Sequence, residues 1–164
     1  MITAHTIHHH PEGAADYTLS LTYEDRFLRR KKLITDCGMG FILDLEQTTS
    51  LDHGDHIECT DGTHILVQAK PETLAQITGA NLLELAWHIG NRHTPCQIEA
   101  SHLLIQRDHV REGMLRLLGA EIEPMQAPFT PEGGAYGHGR THSHHHDPEH
   151  GPEHDQEPHN HHHH

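Results

Sequence analysis

The last 28 residues, Gly137 to His164, hold 12 histidines and not one Leu, Ile, Val, Phe or Met. A segment of that composition has no apolar side chains to bury, so nothing offsets the entropy lost on ordering it. It is expected to be a disordered His-rich tail, with the foldable part ending near Tyr136. About 135 residues then remain, enough for one modest core or two small ones and too few for a large multidomain enzyme.

Histidine makes up 23 of the 164 residues. In the tail these are His138, His142, His144, His145, His146, His150, His154, His159, His161, His162, His163 and His164. Imidazole is a ligand for nickel, copper and zinc, and a free histidine titrates near 6.5, so metal capture should weaken as the solution turns acid. An affinity tag is an uninterrupted run. Here Asp-Pro-Glu-His and Gly-Pro-Glu-His spacers extend the tract over more than 20 residues, as in an evolved metal sponge. A tract without fixed geometry follows the Irving–Williams order, so Cu(II) or Zn(II) should compete with Ni(II) there.

Formal net charge is −13 with histidine neutral, of which the tail carries −4. A surface this acidic argues against nucleic-acid binding, which needs cationic side chains to displace counterions from phosphate. Arg26 to Lys32 is the one basic run, readable as a solvated strand face or as a dock for an acidic partner. The three cysteines, Cys37, Cys59 and Cys96, are odd in number and form no C-x-x-C pair, so reduced thiols are expected. With neither a signal-peptide core nor a run near the roughly 20 apolar residues of a membrane helix, the expectation is a cytoplasmic protein with no membrane partner.

Along the chain, residues 1–14 read as a flexible leader, with His5, His8, His9 and His10 as a small second cluster. Residues 15–64 read as a small all-β domain: Tyr17–Leu21 alternate, Lys32–Asp36 and Phe41–Leu45 are rich in β-formers, and Asp52-His53-Gly54-Asp55 and Asp61-Gly62 mark turns around Ile57–Thr60. Residues 65–136 read as a second domain. Ile65–Ala69 suggests a strand, and Glu72–Ile89 a helix from the spacing of Leu74, Ile77, Leu82, Leu85 and Ile89, stopped by Gly90. Two short strands follow over 96–100 and 103–107, then a helix over 109–118 capped by Asp108 and stopped by Gly119, and a strand from Glu121 to about Ala127. The order β-α-β-β-α-β is that of a ferredoxin-like domain, which makes the chain α+β.

His93 lies in Gly90-Asn91-Arg92-His93-Thr94-Pro95, just past a helix C-terminus whose partial negative charge favours a cation. It reads either as a metal ligand or as a solvated loop histidine. Cys96, three residues on, reads as an added soft ligand or as a small buried strand residue. His109 follows the capping Asp108, and His102 sits at a strand turn as a weaker candidate. His53, His56, His64 and His88 are assigned no role. No nucleophile elbow, phosphate-binding glycine loop or H-E-x-x-H motif occurs, so catalysis has no sequence support.

The segments Trp87-His88-Ile89-Gly90-Asn91-Arg92-His93-Thr94-Pro95-Cys96-Gln97-Ile98, Asp108-His109-Val110 through Met114-Leu115 to Leu118-Gly119, and Ala127-Pro128-Phe129-Thr130-Pro131-Glu132-Gly133-Gly134-Ala135-Tyr136 together resemble the urease accessory protein E family. The similarity is clear from about Leu66 onward and looser over residues 15–62. It implies a homodimer in which His93 of each chain meets at the interface to hold nickel, and delivery of Ni(II) as cargo to apo-urease through the urease GTPase accessory protein. Some relatives carry His-Asp-His where this chain has Arg107-Asp108-His109, so the first of those ligands is absent. The expected function is that of a nickel metallochaperone and not an enzyme. The alternative is a nickel, copper or zinc storage buffer acting through the tail.

Overall fold

The computed structural model describes residues 1–133. They form ten strands, two α-helices and one 3-10 turn, arranged as two sheets, so the described chain is α+β. The tail assigned to residues 137–164 lies outside the described residues.

The first sheet holds β1 (Ile2–His8), β2 (Tyr17–Leu21), β3 (Phe27–Ile34), β4 (Gly40–Ser50), β5 (His56–Cys59) and β6 (His64–Ala69), in the order β2-β6-β5-β1-β4-β3. Alternation drives it. Leu19 and Leu21, Phe41, Leu43 and Leu45, Ile57 and Cys59, and Ile65 and Val67 point to one core, while the residues between them are more exposed. β3 is an edge strand, and Arg29, Arg30, Lys31 and Lys32 are exposed along it, a charge pattern that blocks edge-to-edge pairing.

Two expectations fail here. The N-terminal residues are not a leader: β1 lies inside the sheet, parallel to β4 through Ile2↔Phe41 and antiparallel to β5 through Ile7↔Ile57 and His8↔His56. Ala4 is fully buried, with Ile2 and Ile7 packed against the same core. The histidines of this segment occupy solvent-facing positions and hide an ordinary strand. Ile65–Ala69 likewise belongs to the first sheet and not to the second domain, since β6 runs parallel to β2 from Tyr17↔Ile65 to Leu21↔Ala69 and antiparallel to β5.

The second sheet is antiparallel, in the order β10-β7-β9-β8, from β7 (Pro71–Thr78), β8 (Gln97–Ile98), β9 (Leu103–Gln106) and β10 (Glu121–Pro128). Helix α1 (Leu82–Asn91) connects β7 to β8, and α2 (His109–Leu117) connects β9 to β10. The helix expected from residue 72 is therefore a strand up to Thr78. Its apolar residues mimic helical spacing because β7 is buried on both faces: Ala75 and Ile77 pack in the cluster with Leu85, Ile89 and Leu115, while Leu74 packs with Tyr23, Leu104 and Phe129. Two-sided burial erases the period of two that marks a half-buried strand. The helix proper starts after Asn81, whose side chain accepts from the Glu84 backbone N–H at 3.2 Å.

The two sheets meet at the Tyr23 cluster. Phe129 is fully buried and stands edge-on to Tyr23 with ring centres 5.2 Å apart. Arg26, 2% exposed, donates from its guanidinium to the Leu21 carbonyl at 2.9 Å and to the Phe129 carbonyl, so one buried cation ties the end of β2 to the segment after β10.

Candidate metal centre

Helix α1 buries Leu85 and Ile89 and leaves Leu83 and Trp87 exposed, at 86% and 63%. It ends in a tight stop: the His93 N–H donates to the Gly90 carbonyl at 3.0 Å and the Thr94 N–H to the Ile89 carbonyl at 3.3 Å. This is the six-to-one and five-to-two pairing that requires a left-handed residue at the first position past the cap. His93 fills it with φ +56°. Glycine takes this conformation without strain, and another side chain there costs about 1–2 kcal/mol. The imidazole is exposed at the negative end of the helix dipole, which favours a cation.

The chain beyond it turns inward. Thr94 is buried, and the Cys96 carbonyl accepts from the Glu132 N–H at 2.9 Å. Burial, with the charge of Glu132 adding, pushes the Cys96 thiol up to about 11, so it stays protonated near neutral pH and is a poor ligand as it stands.

Helix α2 begins beside this stop, since Arg92 lines one shallow depression with Asp108, Val110 and Arg111. Asp108 caps it, accepting from the N–H groups of Val110 at 2.9 Å and Arg111 at 3.0 Å. The Arg111 N–H bond above all, with the Arg111 charge and the Val110 N–H, outweighs burial and holds the Asp108 carboxyl below its ordinary range. Glu112, nearly buried, accepts from the Asp108 N–H at 2.9 Å and pairs with Arg107 at 3.0 Å.

Comparison with known proteins gives the same reading at both ends of the chain. Residues 1–70 match the N-terminal domain of UreE urease accessory protein, and residues 72–164 match its C-terminal domain. The chain belongs to the UreE urease accessory protein family. The UreE of Ruegeria pomeroyi is 59% identical over 128 residues, covering 78% of this chain and 86% of the relative. That of Cereibacter sphaeroides is 57% identical over 129 residues, covering 79% and 70%. That of Paracoccus denitrificans is 53% identical over 129 residues, covering 79% and 82%. The junction between the two UreE domains falls between β6 and β7, where the first sheet ends and the second begins.

Against this UreE frame, His93, Cys96 and His109 form no three-donor group among the described residues. His93 lies at the end of α1, Cys96 before β8 and His109 at the start of α2. His109 is exposed at the positive end of its helix, which disfavours a cation, with Arg107 paired to Glu112 and Arg111 to Asp108 on either side. The twelve tail histidines, His138 to His164, lie outside the described residues. The group of His, Cys, Asp and Glu donors close enough to share an ion, among the described residues, is instead His9, Asp52 and Asp55 in the first sheet. Sequence reasoning missed it because its parts are about 45 residues apart in the chain and meet only through the pairing of β1 with β5. Asp52 and Asp55 read as turn residues, which they also are. No helix among the described residues is long and apolar enough to cross a membrane.

Proposed function

We propose that this chain is a Ni(II) carrier for assembly of the urease metallocentre. It works as a homodimer in which His93 of each protomer supplies a ligand to one interfacial ion. The observation that carries the reading is the left-handed His93 at the helix stop. A strained, exposed histidine stands where glycine would serve the fold better, and it stands at the end of a helix that favours a cation.

Three features support the details. Leu83 and Trp87 form an exposed apolar pair one turn apart on the helix that ends in His93, a surface suited to burial against a second copy. The βαββαβ order and the sheet order of the second unit support a ferredoxin-like reading, with the first sheet as a separate β domain. The twelve tail histidines can supply Ni(II) to the interfacial site at high local concentration, with Cu(II) or Zn(II) as competitors. Cargo passes to apo-urease through the urease GTPase accessory protein in the cytoplasm. Nothing is catalysed in this scheme; an exposed site between two chains keeps its ligands exchangeable.

The test is calorimetric Ni(II) titration of a chain ending at Tyr136, wild type beside His93→Ala, with oligomer mass measured in parallel. One tight ion per dimer that disappears in the variant supports the carrier. Absence of tight binding without the tail makes the protein a storage buffer and removes the role of His93.

A further inference from the structure

The turn Asp52-His53-Gly54-Asp55 between β4 and β5 packs against the end of β1. Asp55 is fully buried, yet the ion pairs it makes are with histidines: His9 Nδ1 at 3.4 Å and His10 Nε2 at 3.9 Å. Its carboxylate is held in place by the Asp52 N–H at 2.8 Å and the His10 N–H at 3.3 Å. Asp52 adds a second carboxylate, 4.0 Å from His10 Nε2. One donor atom from each of His9, Asp52 and Asp55 lies within 4.8 Å of the other two.

These separations suit a small divalent cation. Ligands about 2.1 Å from a tetrahedral ion stand about 3.4 Å apart, so the observed spacings require only a modest contraction. The Asp55 carboxylate is fully buried with the partly exposed Asp52 carboxylate beside it, and a bound cation would offset the charge the two bring together. The backbone adds a second indication. Among the described residues, the two non-glycine residues with positive φ are His93 and His10, the latter at φ +43°. A Cβ on Gly54 would come within 3.0 Å of His10 Nδ1, so the turn leaves room for that ring.

We propose that His9, Asp52 and Asp55, with His10 beside them, form a second metal site at the end of β1 in the first sheet for a borderline divalent cation of the nickel and zinc class. An imidazole nitrogen with two carboxylate oxygens matches that class, whereas Cu(I) prefers sulfur and Ca(II) or Mg(II) prefers oxygen alone. The site uses no residue of the interfacial scheme, so it stands or falls independently of His93.

The experiment is NMR of the full-length 15N-labelled chain titrated with NiSO4, because the paramagnetic ion broadens amides near each bound position. The variants are His9→Gln with His10→Asn, asparagine being chosen because it tolerates positive φ, and Asp52→Asn alone. Asp55 is left intact because it also holds the turn. The expected result is broadening of residues 8–10 and 52–56 in the wild type, relieved in both variants, while broadening around residue 93 persists. Unbroadened signals at 52–56 in the saturated wild type would overturn the site. So would equal broadening of those signals in the variants, since the ion would then be held by other ligands. A ZnSO4 titration of the same samples reads the diamagnetic shifts of residues 52–56, and the metal-free spectra of the variants check that the native β1 pairing is kept.

Discussion

His93 and Gly119 occupy the same position in the same helix stop. Gly119, at φ +91°, donates to the Arg116 carbonyl at 3.0 Å while Ala120 donates to Leu115, as His93 and Thr94 do at the end of α1. One helix ends in the residue the geometry favours and the other in a histidine. His93→Gly should therefore stabilise the fold by about 1 kcal/mol while abolishing tight nickel binding, and Gly119→Ala should destabilise it by about the same amount. Urea unfolding midpoints, read beside nickel titration, check both. A His93→Gly protein less stable than wild type would show that the imidazole serves the fold.

Arg26 joins the two sheets through the Leu21 and Phe129 carbonyls. Arg26→Ala leaves buried carbonyls without their charged donor and should cost about 3 kcal/mol. Trp87 is the only tryptophan and reports on the second unit, whereas far-ultraviolet circular dichroism sees both. In the variant the two unfolding curves should separate; coincident curves would mean that the Tyr23 and Phe129 contact alone couples the units.

His109 sits at a helix start, where the dipole disfavours a cation, so His109→Ala should change nickel affinity by less than about twofold. Asp108→Ala should lower stability by about 1 kcal/mol through loss of the cap. Weaker nickel binding in His109→Ala, by calorimetry, would make it a ligand despite its setting.

Asp36 closes the β3–β4 turn onto β2. Burial works against its ionisation, but hydrogen bonds from the Thr18 hydroxyl at 2.8 Å and from the Ser20 hydroxyl at 2.9 Å and N–H at 3.0 Å, with the charge of Lys70, hold its carboxyl below the ordinary 3.8. The unfolded chain then binds the proton more readily than the folded one. Stability from Asp36 is complete above about pH 4 and falls as the pH drops through the lower folded value. The stability gap between wild type and Asp36→Asn should close in that acid range, measured by urea unfolding at stepped pH. A gap that widens with acid would reverse the sign.

The three thiols should alkylate in the order of their exposure and acidity. Cys37 is exposed, whereas Cys96 is pushed up to about 11 and Cys59 is buried and raised, first by burial and then by Asp61. Iodoacetamide at pH 7.5, followed by mass spectrometry, should label Cys37 first. Early labelling of Cys96 would mean that the segment after His93 opens in solution.

By itself the sequence determined what short-range chemistry controls. Asp108 ahead of a periodic run and Gly119 behind it define α2, and the strands on either side of it follow from where turns interrupt apolar runs, whereas α1 runs one residue past the Gly90 expected to stop it. The expected identity of His93 as the residue to watch also came from those local signals and from the resemblance. Tertiary structure decided the rest. β7 looked helical because both of its faces are covered, and Ile65–Ala69 joined the first sheet because Tyr17–Leu21, nearly 50 residues away, offers it a parallel partner. β1 looked like a leader because its histidines face solvent while only Ile2, Ala4 and Ile7 reach the core. The meeting of His9 with Asp55 was invisible for the same reason, whereas the left-handed φ of His93 is local and was hidden because no glycine marks it. Pairing across the fold is not encoded in the spacing of neighbouring residues.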